Sequence, residues 1–163
     1  MTVTSSFFVN DGKIGIDLAL TNSTADYKLG ETANGTLNSK WIYVYAASTV
    51  AQYDAVMIDQ SLNAVPLTTT NSASSKMVGF AQVAIASASY GWVALQGDGI
   101  RVNAAANCAP NVYLYTTATG GVIDDAIVSA GALHGVITYD TISNATSVRI
   151  IASNPHIGFG SGN

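Results

Sequence analysis

Short runs of alternating apolar and polar positions, broken by Gly, Asn, Asp and Pro, recur along most of this chain. Trp41-Ile42-Tyr43-Val44-Tyr45 places Trp41, Tyr43 and Tyr45 on one face and Ile42 and Val44 on the other, as a strand with period two does. Ala55 to Asp59, Asn63 to Leu67, Ile100 to Val102, Val112 to Tyr115, Val122-Ile123, Gly135 to Tyr139 and Ser147 to Ile151 read the same way. The stretch from Met77 to Gly97 predicts a mostly buried hairpin, with Phe80 to Ala86 and Trp92 to Leu95 as its arms and Ser87 to Gly91 as its turn. Gly97-Asp98-Gly99 predicts a further turn, and Asp124 to Ala132 fits either a single helical turn or a loop. Many short strands with no convincing helix indicate an all-β fold, a small β-barrel or sandwich.

The layout is used twice. An offset of 56 positions places Val56 on Val112, Gly79 on Gly135 and Ser87 on Ser143, and brings Met77 onto Leu133, Phe80 onto Val136 and Trp92 onto Val148. Identities are few, but strand, turn, strand, loop and hairpin fall at matching offsets. The reading is a β domain over 41–153 with pseudo-repeated halves at about 56–97 and 112–153. Residues 1–40 form an N-terminal arm and loop, with Asn10-Asp11-Gly12 as a turn signal, and 154–163 form a Gly-rich C-terminal tail.

Charge changes the picture. Only 10% of the 163 residues are charged, against about 25% in a typical soluble domain. So little charge suits surfaces that pack into an assembly. The six basic residues stand singly and the net charge is -4, so no stripe for phosphate exists and a nucleic-acid partner is not expected. No apolar run is long enough for a membrane span, and no basic segment precedes an apolar core at the N-terminus, so a soluble chain without a cleaved secretory leader is expected.

Candidate chemistry is thin. Cys108, the single cysteine, reads as a buried small residue rather than a nucleophile, and precludes any disulfide within the chain. His134 precedes a strand and His156 lies in the tail, with no spaced carboxylate partner, so no metal site is expected. Asp124-Asp125 lacks the Asp-x-Asp-x-Asp spacing that wraps a hard cation. No catalytic residue, cofactor or enzymatic activity is expected. Convergence of Asp124, Asp125 and His134 in one pocket would revive an enzymatic reading.

Gly35 to Val44, leading to Ala51-Gln52-Tyr53-Asp54-Ala55-Val56, then Val78 to Ala84 and Tyr90 to Leu95, resembles the capsid decoration, or cement, proteins of tailed-bacteriophage heads. The resemblance covers roughly residues 34 to 151. It implies a β-rich virion protein on the outer surface of the capsid, without enzymatic activity, that self-associates and braces the major capsid protein. A homo-oligomer is expected, a trimer in preference to a dimer. Phe7, Phe8, Val9, Ile14 and Ile16 of the arm would be costly to leave in water and are the first candidates for the interface. His156, Ile157 and Phe159 of the tail are the second. The alternative is the knob or adhesion module of a head or tail fibre, binding host glycans through exposed Tyr43, Tyr45, Tyr90 or Trp92.

Overall fold

The computed structural model describes residues 16–72, 76–128 and 131–158. These residues form an all-β protein without a helix. Its first five principal strands are β1 (Thr32–Asn34), β2 (Lys40–Ala46), β3 (Ala55–Ile58), β4 (Asn63–Pro66) and β5 (Met77–Ala81). Then follow β6 (Ser89–Ala104), β7 (Leu114–Thr116), β8 (Val122–Asp124), β9 (Ala132–Thr138) and β10 (Thr146–Gly158).

The pairings close two rings that share β6. In the first ring β2 runs parallel to β4, β4 pairs antiparallel with β3, β3 with β5, β5 with β6, and β6 returns to β2. In the second, β6 runs parallel to β8, β8 pairs antiparallel with β7, β7 with β9, β9 with β10, and β10 returns to β6. Every pairing in one ring therefore has a counterpart of the same sense in the other. Closure leaves few free strand edges, which suits a protein with so little charge to guard them.

Alternation decides what each ring encloses. Ile42, Val44 and Ala46 from β2, Val56 and Ile58 from β3, Ala64, Ala81, Val93 and Leu95 form one buried cluster, the filling of the first ring. Burying each Val, Leu or Ile contributes roughly 1.5–3 kcal/mol. Ile100, Val102, Leu114, Ile123, Leu133, Val136, Val148 and Ile150 fill the second. The outward side chains of the first ring, Trp41, Tyr43, Met57, Phe80 and Trp92, belong to this second cluster as well.

Three expectations are corrected. Gly97-Asp98-Gly99 is no turn: β6 runs straight through it for 16 residues. The register steps there, since Ile100 pairs with Ile150 but Asp98 with Ile151, so Gly99 is the extra residue of a bulge. Both glycines have positive φ, and a Cβ on Gly97 would lie 2.9 Å from the backbone of Ser39. The bulge lets one strand serve two rings. Second, the chain from Asn154 to Gly158 is the end of β10, paired with β9 and β5, where a tail was expected.

Third, the ungapped offset of 56 slips by one residue across β5 and β9. Phe80 pairs with Ala94 as Ile137 pairs with Ile151, so the counterpart of Phe80 is Ile137, where the offset gave Val136. A one-residue slip reverses the face a side chain occupies, so the distinction matters. The offset slips by two residues across β3 and β7, since Ala46–Ala64–Ile58 matches Ala104–Ile123–Thr116, where the offset gave Leu114 for Ile58. Val112, matched to buried Val56, lies outside β7 and is exposed.

Candidate interaction surface

The two rings differ most in how their outer faces are finished. Across β2 and β6, Ile42–Val93, Tyr43–Trp92 and Val44–Gly91 are directly paired. Across β6 and β10 the same positions are Ile100–Ile150, Arg101–Arg149 and Val102–Val148. The inward pairs are apolar in both rings, whereas the outward pair changes from Tyr and Trp to two arginines.

A cover explains the aromatic pair. Tyr43 is 2% exposed and Trp92 1%, because the chain from Ile16 to Asn34 lies over them. Backbone bonds between Asn22 and Tyr90, and between Tyr43 and both Gly30 and Glu31, hold it, and β1 continues the pairing along β2. The Tyr27 ring meets Tyr43 at 5.2 Å and Trp92 at 5.3 Å, both edge to face, while Ile16 and Leu18 are buried in the same cluster. Tyr43 and Trp92 are therefore unavailable to a glycan. Tyr45 and Tyr90 stay half-buried, their rings 5.1 Å apart.

Nothing among the described residues covers the second ring in this way. Ile137 is 48% exposed and Tyr139, two residues on, 49%; Ile151, paired with Ile137, is half-buried. Their counterparts in the first ring, Phe80 and Ala94, are fully buried. Arg149 donates to Asp98 at 2.9 Å, and Arg101 donates to the carbonyl and hydroxyl of Ser147 while lying 5.5 Å over the Tyr53 ring. An open groove of about 590 Å³ runs beside them between both arginines and the Asp140–Asn144 loop.

No known protein family, curated protein or solved structure matches this chain. Its functional reading therefore rests on these faces and on the placement of individual side chains.

Of the interface candidates read from the sequence, Phe7, Phe8, Val9, Ile14 and Phe159 lie outside the described residues. Ile16 and Ile157 are buried in the protein's own core, at 6% and 1% exposure, so neither side chain is presented to a partner by the single chain. Ile157 was misplaced because period-two alternation continues through Pro155 and Ile157, a pattern that the glycines after it obscured. His156, between them, is exposed.

The titratable groups resolve into local ties. Asp124 and Asp125 come within 4.8 Å of Cys108, and His134 is not among them. Asp125 accepts from the Ala109 N–H at 2.9 Å, and its own N–H donates to Asp124 at 2.8 Å, so the pair pins the loop carrying the cysteine. Burial, with the two carboxylates beside it, pushes the Cys108 thiol up to about 11. A thiol so protonated at neutral pH is a poor nucleophile. Asp54, buried where the rings meet, accepts from Ala51 N–H at 2.8 Å and Asn103 Nδ2 at 3.1 Å. Burial raises its pKa above the usual carboxylate range.

Proposed function

We propose that this chain is a structural virion protein that decorates the outside of a tailed-phage capsid, binding through its second ring and self-associating there. The observation that carries this reading is the uncovered outer face of that ring, Ile137, Ile151 and Tyr139, set against the covered face of its counterpart. Exposed apolar side chains that are adjacent across paired strands gain from burial against a partner. The low charge of the whole chain points the same way, since a subunit wedged between neighbours has less surface to keep wet. Binding the assembled lattice better than its dissociated subunits would stabilise the shell by mass action. Major capsid protein is the proposed partner, with the N-terminal Phe7, Phe8 and Val9 as an additional contact.

Sedimenting the purified protein with expanded capsids that lack it tests the reading. Saturable uptake at a fixed ratio to capsid protein is expected, and removing residues 1–15 should lower it. Failure to cosediment at any concentration overturns the proposal. Binding of isolated protein to a glycan array, through the half-buried Tyr45–Tyr90 pair, would favour the adhesion alternative instead.

A further inference from the structure

The shared strand denies the second ring a cover like that of the first. In the first ring the cover, Ile16 to Asn34, is the chain that leads toward β2. The counterpart of β2 in the second ring is the C-terminal half of β6, and what leads into it is the N-terminal half of β6, already a wall of the first ring. No preceding segment is therefore free to lie over Arg101, Arg149, Ile151 and Ile137. A cover for that face must come from elsewhere in the chain or from another molecule.

The strand edge differs to match. The first cover is anchored on Tyr43, whose carbonyl accepts from the Gly30 N–H and whose own N–H donates to the Glu31 carbonyl, both at 2.9 Å. At Arg101, which holds the place of Tyr43, both bonds go to one side chain. The Arg101 N–H donates to Gln82 Oε1 at 3.0 Å, and Gln82 Nε2 donates to the Arg101 carbonyl at 2.9 Å. That carboxamide stands where the peptide groups of a covering segment would pair. Backbone pairing supplies much of the affinity of an added strand, so a segment laid over the second ring is held by side chains and exchanges more readily.

The side chains of the face suit a second protein molecule. Ile137 and Tyr139 are half exposed, Ile151 is half-buried, and both arginines are exposed. Arginine and tyrosine tolerate water beforehand and are enriched where proteins meet. The face sealed within the chain carries Tyr43, Phe80 and Trp92 instead. Of the residues beyond the two ends of the described chain, those after Gly158 hold one large apolar side chain, Phe159, whereas the fifteen before Ile16 hold Phe7, Phe8, Val9 and Ile14. Fifteen extended residues span up to about 50 Å, enough to leave the first ring and reach a neighbour.

We infer that residues 1–15 of a second copy cover the outer face of the second ring, Phe7 and Phe8 packing against Ile137, Tyr139 and Ile151. The contact is head to tail: each copy lends its arm to one neighbour and receives an arm from another, in a closed oligomer. Resting on the reading that the protein associates through its second ring, the exchange gives the Phe7–Val9 contact its place on a neighbouring copy.

Sedimentation velocity of the full-length protein, without capsids, tests the exchange. The wild type should form an oligomer, and Phe7→Ser/Phe8→Ser and Ile137→Ser/Tyr139→Ser should each weaken association about tenfold or more, leaving monomers. Mixed in equal amounts, the two variants should recover a dimer and nothing larger, because one lends an arm and the other offers a face. Thermal melting identifies any variant that fails to fold, and Phe8→Ser with Ile137→Ser makes the same test with single substitutions. A monomeric wild type, an oligomer that survives Phe7→Ser/Phe8→Ser, or a mixture that stays monomeric overturns the exchange. Capsid uptake by the wild type is read separately, so loss of the exchange is distinguished from loss of the capsid reading.

Discussion

The two rings share a strand and a pairing scheme yet finish their outer faces in opposite ways. At one structural position the first ring carries Tyr43 and Trp92, sealed beneath Ile16, Leu18 and Tyr27; the second carries Arg101 and Arg149 in the open. The comparison separates what the fold requires from what is left to function. Inward positions are buried in both rings because closure covers them whatever lies outside, and they are apolar apart from Thr116 and Thr138 of the second ring. Outward positions follow the cover: aromatic where the chain supplies one, charged or exposed where it does not.

Substitution at the matched positions should break the symmetry most strongly. Trp92→Ala should cost about 3–5 kcal/mol, the range for a large buried aromatic, read as a shift in the urea midpoint. Trp92→Phe should lose much less, because the indole N–H it removes is buried without a hydrogen-bond partner among the described residues. Arg149→Ala, at the equivalent place in the second ring, should leave the midpoint unchanged, since its ion pair with Asp98 is exposed.

Weakening the cover itself comes next. Leu18→Ala should cost about 2–3 kcal/mol, toward the lower end for a buried leucine because a loop can settle into the space. Near-UV circular dichroism should change with it, as the Tyr27, Tyr43 and Trp92 rings lose their fixed packing. An unchanged spectrum would mean that the aromatic face does not need its cover.

Alkali should then distinguish the rings. Cys108 titrates at about 11 in the folded protein and near 8.5 in an unfolded chain. The folded state holds its proton more tightly, so this contribution is complete below about pH 8.5 and is lost as pH rises toward 11. Tyr43, raised above 10.0 by burial, adds its loss only at higher pH. Cys108→Ala should therefore remove the fall in stability between about pH 8.5 and 10 and reduce it from there to pH 11, where the loss from Tyr43 remains. Urea midpoints from pH 8 to pH 11 show this directly.

Much of the fold was legible in local pattern. Period-two runs located β2, β3 and the Trp92–Leu95 part of β6, whereas the arm read at Phe80 to Ala86 keeps only Phe80 and Ala81 in β5, and β6 begins inside the turn read at Ser87 to Gly91. What escaped were features set by distant pairing. Gly97-Asp98-Gly99 has the composition of a turn, and only its ladder with β10, where Asp98 pairs with Ile151 and Ile100 with Ile150, makes it a bulge. Ile16 reads as an exposed arm residue because the core cluster that buries it is built from strands far along the chain. Likewise, nothing local in the sequence places His134 beside His156, which meet only through the register of β9 and β10. The outer face of the second ring could be found only after the one-residue slip across β9 was known.

The most direct test of that face compares capsid uptake by wild type and by Ile137→Ser/Tyr139→Ser. Both side chains are about half exposed, so the melting temperature should barely move. Uptake onto expanded capsids lacking the protein should fall at least tenfold while the free protein remains folded. Full uptake by the double variant would contradict the account, since the uncovered face of the second ring would then not be where the protein binds.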